Sequence, residues 1–390
     1  MKRVLVLNHF AIPTNSAGGT RHVELFSRLT DWSYLIVIAN RGAANQESVA
    51  PTIGFAPVPT MSYEGNNWRR IANWLSYAGS ATLYFSVGRK PDVVYASSPH
   101  LLAGLSGYVL SKRWRAPFVL EIRDLWPQVL ADMGQLNEQS AVYRGLKELE
   151  AFLYQQADAI VVLAEGTADY LVERGVPRSK ITYVPNSADP SDFEVETDRD
   201  ELRRRYGFDK RTFVYAGAHG PANGLDLFID AAATLSDTNI EIVMVGDGVA
   251  KADLVALAES SGVANVRFMD PIPKQAIPEL LAAADVGVHV LADVPLFRYG
   301  VSPNKVFDYM AAGLPVLTNT PGGVSEFVLG AEAGVAVPPG DLTTGLVAFA
   351  EMHQDELDRL GANGRKYMAE NQSRTQMSGR LQALLDQAVS

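Results

Sequence analysis

The sequence contains no cysteine among its 390 residues, which excludes disulfide bonds and thiolate metal sites. Its six histidines are scattered, without the short spacing of a zinc-binding helix or knuckle, so no metal site is predicted. The apolar run at the start is only about five residues long, which predicts a first strand and not a signal peptide. These absences favour a protein of the reducing cytoplasm.

The charge is divided unequally along the chain. The formal net charge is −10; residues 1–187 carry 18 basic and 15 acidic side chains, which leaves 16 basic and 29 acidic for the remainder. The two parts therefore carry +3 and −13, and the basic part can turn towards an anionic surface. The chain as a whole is acidic and has no base-reading module, so nucleic acid is not a predicted partner.

Short β-branched runs alternate with helical stretches in both halves. The predicted strands are 4–8, 34–39, 92–97, 118–122, 159–163, 212–216, 240–245, 285–290 and 315–318. Apolar strands alternating with helices predict an α/β fold with two doubly wound parallel sheets, and ligands at the carboxyl ends of the strands in a cleft between the domains. The predicted domains are 1–187 and 188–371, with a linker beginning near Pro185 and a last helix at about 372–390 packing back on the first domain.

The segment SPNKVFDYMAAGLPV, residues 302–316, predicts a helix that ends at Gly313 and is followed by a strand. The start of this helix, with Lys305 beside it, suits the binding of a diphosphate. Asp308 lies one turn later, where its carboxylate can accept hydrogen bonds from a ribose. The alternative is that Asp308 only complements the helix dipole.

Glycine-rich turns precede helices in both halves. Gly217 and Gly220, with Asn223, follow a predicted strand and let the backbone approach a phosphate; the alternative is a tight turn that binds nothing. Gly18 and Gly19 precede a helix that opens with Arg21, which is either a phosphate partner or a solvated charge. The spacing does not match G-x-G-x-x-G, so no dinucleotide cofactor is predicted.

Charged residues cluster where the strand at 118–122 ends. Glu121, Arg123 and Asp124 are costly to bury there unless they serve a ligand or pair with each other. Asp124 is the candidate to receive or orient an acceptor hydroxyl, with Glu121 and Arg123 beside it. The alternative is an ion pair between Glu121 and Arg123, with Asp124 capping the next helix.

A stretch rich in basic and aromatic residues predicts contact with a membrane surface. Residues 65–115 contain seven basic side chains and one acid, whereas residues 71–88 carry no formal charge. We predict an interfacial helix whose face is Trp74, Tyr77, Ala81 and Tyr84, meeting anionic lipid through about 66–90 and 112–115. The alternative is a helix packed within the domain.

These motifs resemble family 4 of the retaining glycosyltransferases, which have the GT-B architecture of two Rossmann-like domains. DYMAAGLPV, residues 308–316, is similar to the end of that family's Glu-x7-Glu motif, with Asp308 at the second glutamate and Gly300 at the first. PLFRYGVSPNKVFDYMAAGLPV and GGTRHVELFSRL look most like the subgroup that builds O-antigen and capsule repeats, including N-acetylfucosamine transferases.

The resemblance implies that a sugar is transferred from a nucleoside-diphosphate donor, without a metal ion and with retention of the anomeric configuration. We expect the donor to be UDP-linked. The implied acceptor is a polyprenyl-diphosphate-linked saccharide at the inner face of the cytoplasmic membrane. It implies an acceptor-binding first domain and a donor-binding second domain. Asp124 and Lys305 are the implied catalytic residues. The implied donor residues are Gly18, Gly19, Gly217, Gly220, Asn223, Arg298, Ser302, Asn304, Lys305 and Asp308, and Arg21, Glu121 and Arg123 lie on the acceptor side. Two alternatives stay open: a sugar-nucleotide 2-epimerase of the same fold, and an inactive nucleotide-sugar-binding membrane partner.

Overall fold

The computed structural model describes residues 1–12, 20–40, 54–63, 68–98, 100–235 and 239–390. The chain forms two compact units: unit 1 is Met1–Pro185 with Thr375–Ser390, and unit 2 is Asn186–Arg374. The boundaries predicted from the sequence, after residues 187 and 371, differ from these by two and three residues.

Unit 1 is built on a parallel sheet of seven strands in the order β3-β2-β1-β4-β5-β6-β7. The strands are β1 (Lys2–Leu7), β2 (Trp32–Ala39), β3 (Phe55–Val58), β4 (Val93–Ser98), β5 (Phe118–Ile122), β6 (Ala159–Val162) and β7 (Ile181–Tyr183). The helices between them are α1 (Arg21–Phe26), α2 (Trp68–Phe85), α3 (Leu101–Trp114), α4 (Gln128–Asp132), α5 (Ala141–Gln156) and α6 (Glu165–Glu173). Every residue of β4 and β5 is buried, which explains why these strands begin with the apolar runs VVYA and FVL.

Unit 2 has a parallel sheet of six strands in the order β10-β9-β8-β11-β12-β13. The strands are β8 (Arg211–Ala216), β9 (Ile240–Val245), β10 (Val266–Met269), β11 (Val286–His289), β12 (Val316–Thr318) and β13 (Gly334–Ala336). The helices are α7 (Arg199–Tyr206), α8 (Leu225–Ala233), α9 (Lys251–Ser260), α10 (Ile277–Ala283), α11 (Asn304–Ala312), α12 (Gly323–Gly330), α13 (Leu342–Glu351) and α14 (Gln354–Asn371). Two α/β sheets of this kind confirm the predicted fold class.

The last helix, α15 (Arg374–Ala388), packs on unit 1. Its residues Met377, Leu381 and Leu385 are fully buried in one cluster with β1 and β2. Polar contacts fix its position, because Lys2 Nζ lies 2.6 Å from Asp386 Oδ1 and the Ser378 hydroxyl donates to the Leu25 carbonyl at 2.8 Å. The apolar residues of the chain's end are therefore part of the unit 1 core.

Four strands of the structure have no counterpart among those predicted: β3, β7, β10 and β13. Each of them has only three or four residues and lies at an edge of its sheet. An edge strand has one hydrogen-bonding neighbour and is commonly short and less apolar, so its sequence pattern is weak.

The linker predicted to begin near Pro185 is wrong for residues 188–208. Ala188, Leu202 and Phe208 are buried in the core of unit 2, although the stretch around them is dense in charge. The charges are used within the unit: Arg199 and Arg203 both form ion pairs with Asp285, at 2.5 and 3.0 Å. Asp198 accepts hydrogen bonds from the backbone at the start of α7, so it is a helix cap.

The helix predicted to lie at a membrane surface exists as α2, but the predicted face is wrong for two of its four residues. Tyr77 and Ala81 are fully buried, and the Tyr77 hydroxyl donates to the Val37 carbonyl at 2.8 Å, whereas Tyr84 is exposed. An apolar stripe on the opposite side is exposed as well: Trp68, Ile71, Leu75 and Leu83 are each more than half exposed. In the described part of the chain, no helix is both long and apolar enough to span a bilayer.

Candidate active site

Two neighbouring strands of the unit 2 sheet lead the chain in opposite directions. From β8 the chain continues to β9 and β10 on one side, and from β11 it continues to β12 and β13 on the other. In an open parallel sheet, the carboxyl ends of two such strands flank a crevice that binds ligands. The segments after β8 and β11 carry the donor residues predicted in unit 2.

Lys305 reaches the carboxyl end of β8 from the first turn of α11. Its ammonium donates to Tyr215 Oη at 3.2 Å and to Asn223 Oδ1 at 3.4 Å. Asn223 is held in turn, because its amide nitrogen donates to the Ala218 carbonyl at 3.0 Å. The structure thus brings the predicted residues Lys305 and Asn223 together.

Gly217 makes room for the Lys305 side chain. A Cβ atom at Gly217 would lie 3.0 Å from Lys305 Cε and 3.4 Å from its Nζ, closer than most Cβ contacts. Gly220 has no such constraint, since a Cβ there would meet its nearest atom, in Asn223, at an ordinary 3.6 Å. Only the first of these two glycines is required by the packing of the site.

The Lys305 ammonium is a desolvated charge whose hydrogen-bond partners are neutral. In the described part of the chain no carboxylate forms an ion pair with it; its partners are the phenol and amide oxygens of Tyr215 and Asn223. Burial lowers the pKa of Lys305 to about 8, and the charge of Asp308 partly opposes that shift. A partly buried cation without a paired carboxylate is suited to an anionic ligand.

The remaining donor residues predicted near α11 lie in different surroundings. The Ser302 hydroxyl accepts a hydrogen bond from the Asn186 backbone N–H at 2.9 Å, and the Ser302 carbonyl accepts one from the Asn186 side chain. Asn304 is exposed at the start of α11. Arg298 is exposed and donates to Tyr299 Oη at 3.3 Å. Among the described residues, none of these three side chains forms a hydrogen bond with Lys305.

The backbone explains why a glutamate is absent at position 300. Gly300 has φ +86° and ψ +158°, a region that is almost restricted to glycine. Asp308 lies one turn after Lys305 on α11 and is partly buried. The loop before α11 therefore has a conformation of its own, in which a side chain at position 300 would be strained.

The sequence interpretation missed a buried polar cluster at the ends of β11 and β12. His289 Nδ1 lies 3.1 Å from the hydroxyls of both Thr318 and Thr320, and all three residues are fully buried. Burial, together with the nearby Lys305 charge, holds the pKa of His289 well below its usual value. The available signal was the position of His289, a polar residue ending an apolar strand next to the switch point.

Glu121 in unit 1 is the centre of a fully buried network. Its carboxylate accepts from Arg21 Nε at 3.1 Å, Tyr95 Oη at 2.7 Å and Ser97 Oγ at 2.8 Å. His22 Nε2 lies 2.8 Å from the same carboxylate. Burial alone would raise the pKa of Glu121, but the charges of His22 and Arg21 hold it well below its usual value.

This network corrects two expectations for unit 1. Arg21 is neither solvated nor at a helix surface, since it is buried against Glu121 and also donates to the carbonyls of Val184 and Pro185. The ion pair of Glu121 is with Arg21, where the alternative reading had Arg123. Arg21 and Glu121 thus join α1, β5 and the end of β7.

Arg123 and Asp124 follow β5 and reach the surface of unit 1. Arg123 is partly buried, and Asp124 is exposed. α4 has Pro127 at its N-cap and no side-chain cap, so Asp124 does not cap the next helix. Asp124 therefore remains available for an acceptor. The predicted donor residues Gly18 and Gly19 lie outside the described residues.

Comparison with known proteins decides the class of this site. The family model described as "Glycosyl transferase 4-like domain" matches residues 20–187, and "Glycosyl transferases group 1" matches residues 210–355. Together the two matches cover more than half of the chain. The chain is a glycosyltransferase.

Relatives and solved structures agree with this assignment. WbjE of Pseudomonas aeruginosa, described as a probable glycosyltransferase, is 27% identical over 74% of this chain and 72% of its own length. WcaI of Escherichia coli (strain K12), described as a colanic acid biosynthesis glycosyl transferase, is 25% identical over 63% of this chain. The match spans 62% of WcaI, less than two thirds of its length.

The structure of Anabaena Alr3699/HepE in complex with UDP-glucose is similar, with a TM-score of 0.74 at 16% identity over 99% of this glycosyltransferase and all of that chain. A likeness at this identity shows the fold, which is GT-B.

Proposed function

We propose that this glycosyltransferase transfers an N-acetylated hexosamine or deoxyhexosamine, with retention, from a UDP-linked donor to a polyprenyl-diphosphate-linked saccharide. The observation that carries the donor part is the Lys305 ammonium, desolvated at the switch point of the unit 2 sheet and without a paired carboxylate in the described part of the chain. A diphosphate supplies the missing negative charge.

Lys305 has two roles in this proposal. It binds the diphosphate in the ground state, and it stabilises the additional charge that the leaving diphosphate gains as the glycosidic bond breaks. The first turn of α11 adds the positive end of a helix dipole. The leaving diphosphate then assists in deprotonating the acceptor, so no enzyme nucleophile is required.

Asp124 is proposed to position the acceptor hydroxyl, with Arg123 beside it. Its exposure at the carboxyl edge of the unit 1 sheet supports this role, whereas the burial of Glu121 and Arg21 supports a structural role for those two residues. The N-acetylated donor is supported by the SPNKVFDYMAAGLPV segment, which resembles transferases of such sugars. UDP is favoured because the structurally similar HepE binds UDP-glucose.

We also propose that the protein works at an anionic membrane surface through α2. The apolar stripe Trp68, Ile71, Leu75 and Leu83 is exposed. Basic residues lie near the C-terminal end of the helix, because Trp114 Nε1 donates to the Phe85 carbonyl and brings the end of α3 to the end of α2. These residues are Arg89, Lys90, Lys112, Arg113 and Arg115. Apolar insertion flanked by lysine and arginine is typical of helices that bind anionic lipid.

A screen of nucleotides for thermal stabilisation of the protein tests the donor part. A ligand that binds only the folded state raises stability in proportion to its affinity, and we expect UDP and UDP-N-acetylhexosamines to raise the melting temperature more than GDP or ADP. Equal shifts with all three nucleotides, or none, would contradict the UDP assignment.

The products formed with lipid-linked acceptor separate the alternatives. Free UDP that appears only when the acceptor is present supports transfer. An epimerised donor without acceptor supports a 2-epimerase of the same fold, and binding without turnover supports an inactive partner.

A further inference from the structure

The sheet of unit 1 has a switch point of its own, between β1 and β4. From β1 the chain continues to β2 and β3 on one side, and from β4 it continues to β5, β6 and β7 on the other. The residues that follow these two strands include His9 and His100, whose Nδ1 and Nε2 atoms lie 2.9 Å apart. Ligands of open parallel sheets bind at such a point.

Aromatic rings surround this histidine pair. The Trp74 ring stacks on His100 at 5.2 Å with an interplanar angle of 21°, and Trp126 meets Trp74 edge to face at 5.3 Å and 79°. His9 and His100 are buried, whereas both tryptophans keep part of their surface exposed. The cluster is therefore closed towards the core and open on the tryptophan side.

Two features distinguish the cluster from ordinary core packing. The indole N–H of Trp74 is buried without a hydrogen-bond partner among the described residues, and a buried donor left unpaired is costly. The guanidinium of Arg70 lies over the Trp74 ring at 5.2 Å from its centroid. Its charge adds to burial in lowering the pKa of both His9 and His100.

The cluster adjoins the predicted acceptor residues. Trp126 follows β5 two residues after Asp124, and its backbone N–H donates to the Asp124 carbonyl at 3.0 Å. The indole ring of Trp126 is therefore two residues along the chain from the Asp124 carboxylate, which is proposed to position the acceptor hydroxyl. An indole face can pack against the apolar C–H face of a pyranose, and an indole N–H can donate to a sugar hydroxyl.

We propose that Trp74 and Trp126 form the saccharide subsite for the acceptor, and that Arg70 binds the phosphate attached to that saccharide. The proposal rests on the proposed function for the nature of the acceptor. The two faces of α2 then bind different ligands. The exposed apolar stripe binds the membrane, and the face with Arg70 and Trp74 binds the phosphate and the sugar of a lipid-linked substrate.

Three soluble probes separate the sugar from the phosphate contribution: farnesyl diphosphate, and farnesyl diphosphate carrying glucose or N-acetylglucosamine. Binding to the full-length protein is measured by titration calorimetry without vesicles. We expect Trp74→Ala and Trp126→Ala to lower the affinity for the preferred sugar-bearing probe about tenfold. The affinity for farnesyl diphosphate should stay within about twofold of the wild-type value. Arg70→Ala should lower the affinity for every probe that binds the wild type. Trp74→Phe, which keeps a ring on His100, should recover most of the affinity.

A matched control lies on the same helix. Arg69→Ala removes an arginine from an exposed position and should leave all three affinities unchanged. The proposal is overturned if the tryptophan variants lose affinity for all three probes equally, if they lose none, or if neither sugar-bearing probe binds the wild type more tightly than farnesyl diphosphate.

Titration of UDP into the same variants separates this subsite from the donor site. Unchanged UDP affinity alongside weakened probe binding supports the subsite. A wild type that binds the sugar-bearing probe but not UDP would contradict the proposed donor while leaving the subsite in place.

Discussion

Lys305 Nζ lies 3.2 Å from Tyr215 Oη, while the same Tyr215 hydroxyl donates its hydrogen to the Ala218 carbonyl at 2.8 Å. The phenol oxygen thus presents its lone pairs to the ammonium, and the backbone after β8 fixes its orientation. Both the side chain that carries the charge and the loop that faces it are positioned before a ligand arrives. Such preorganisation lowers the cost of binding an anion.

The first prediction concerns the pH dependence of UDP binding. Burial lowers the pKa of Lys305 to about 8, and a bound diphosphate raises it again because it favours the charged form. Affinity should be flat below this pKa, where the free protein is already protonated. Above this pKa the affinity for UDP should fall by up to about tenfold per pH unit, because Lys305 must take up a proton on binding. Calorimetry in buffers of different ionisation enthalpy measures that uptake.

A Lys305→Met variant serves as the control for the pH series, because it lacks the titrating group. Its affinity should vary little between about pH 7.5 and about pH 9.5. A wild type whose affinity is equally flat across this interval would exclude Lys305 as the phosphate ligand.

The second prediction concerns the space beside Lys305. Gly217→Ala places a Cβ 3.0 Å from Lys305 Cε, so the Lys305 side chain must move by a few tenths of an ångström and its ammonium is displaced from Tyr215 and Asn223. We expect UDP affinity to fall by about tenfold, which corresponds to about 1.4 kcal/mol, with little change in melting temperature. Gly340→Ala is the matched control, since no atom lies within 4 Å of a Cβ at that position. Equal affinities for the two variants would refute the packing argument.

The third prediction concerns the stability of unit 1. Arg21→Ala leaves the fully buried Glu121 carboxylate without its guanidinium partner, and we expect a loss of about 3–5 kcal/mol in the free energy of unfolding. Urea denaturation followed by circular dichroism measures it. Arg28→Ala, at an exposed position just after α1, should change stability by less than about 0.5 kcal/mol. An unchanged free energy of unfolding in Arg21→Ala would mean that the network does not stabilise unit 1.

The fourth prediction concerns the membrane surface. Leu75→Ser with Leu83→Ser removes apolar area from the exposed stripe of α2 and should reduce binding to vesicles of phosphatidylethanolamine and phosphatidylglycerol by at least about tenfold. Co-sedimentation measures the bound fraction. Val249→Ser, at an exposed position in unit 2, is the control and should bind as the wild type does. Unchanged binding of the double variant would argue against α2 as the contact.

The central strands could be predicted from the sequence because they are buried on both faces and read as continuous apolar runs. The runs VVYA of β4 and FVL of β5 are examples. The edge strands β3, β7, β10 and β13 could not, since half of their hydrogen bonding has no partner strand and their runs are short. Residues 188–208 have the composition of a linker, but Arg199 and Arg203 pair with Asp285, which is distant in sequence, and no local pattern reveals that pairing.

The candidate site could be predicted in part. The composition of the 302–316 segment indicated Lys305, and the structure adds Tyr215 and Asn223 as its partners. The face of α2 was predicted from aromatic residues at helical spacing. It is wrong for Tyr77, because this side chain is buried and donates its hydroxyl hydrogen to the Val37 carbonyl, and the spacing did not indicate the exposed Leu75 and Leu83. Arg21 was ambiguous because its partner Glu121 is distant in sequence.

The most direct test of the account is the affinity of UDP for Lys305→Ala, measured by calorimetry at about pH 7.5, where Lys305 is mostly charged. Lys366→Ala removes an exposed lysine of the same unit and is the matched control. We expect Lys305→Ala to bind UDP about a hundredfold more weakly than the wild type, with an unchanged circular dichroism spectrum and with Lys366→Ala unaffected. UDP binding to Lys305→Ala at wild-type affinity would contradict the account.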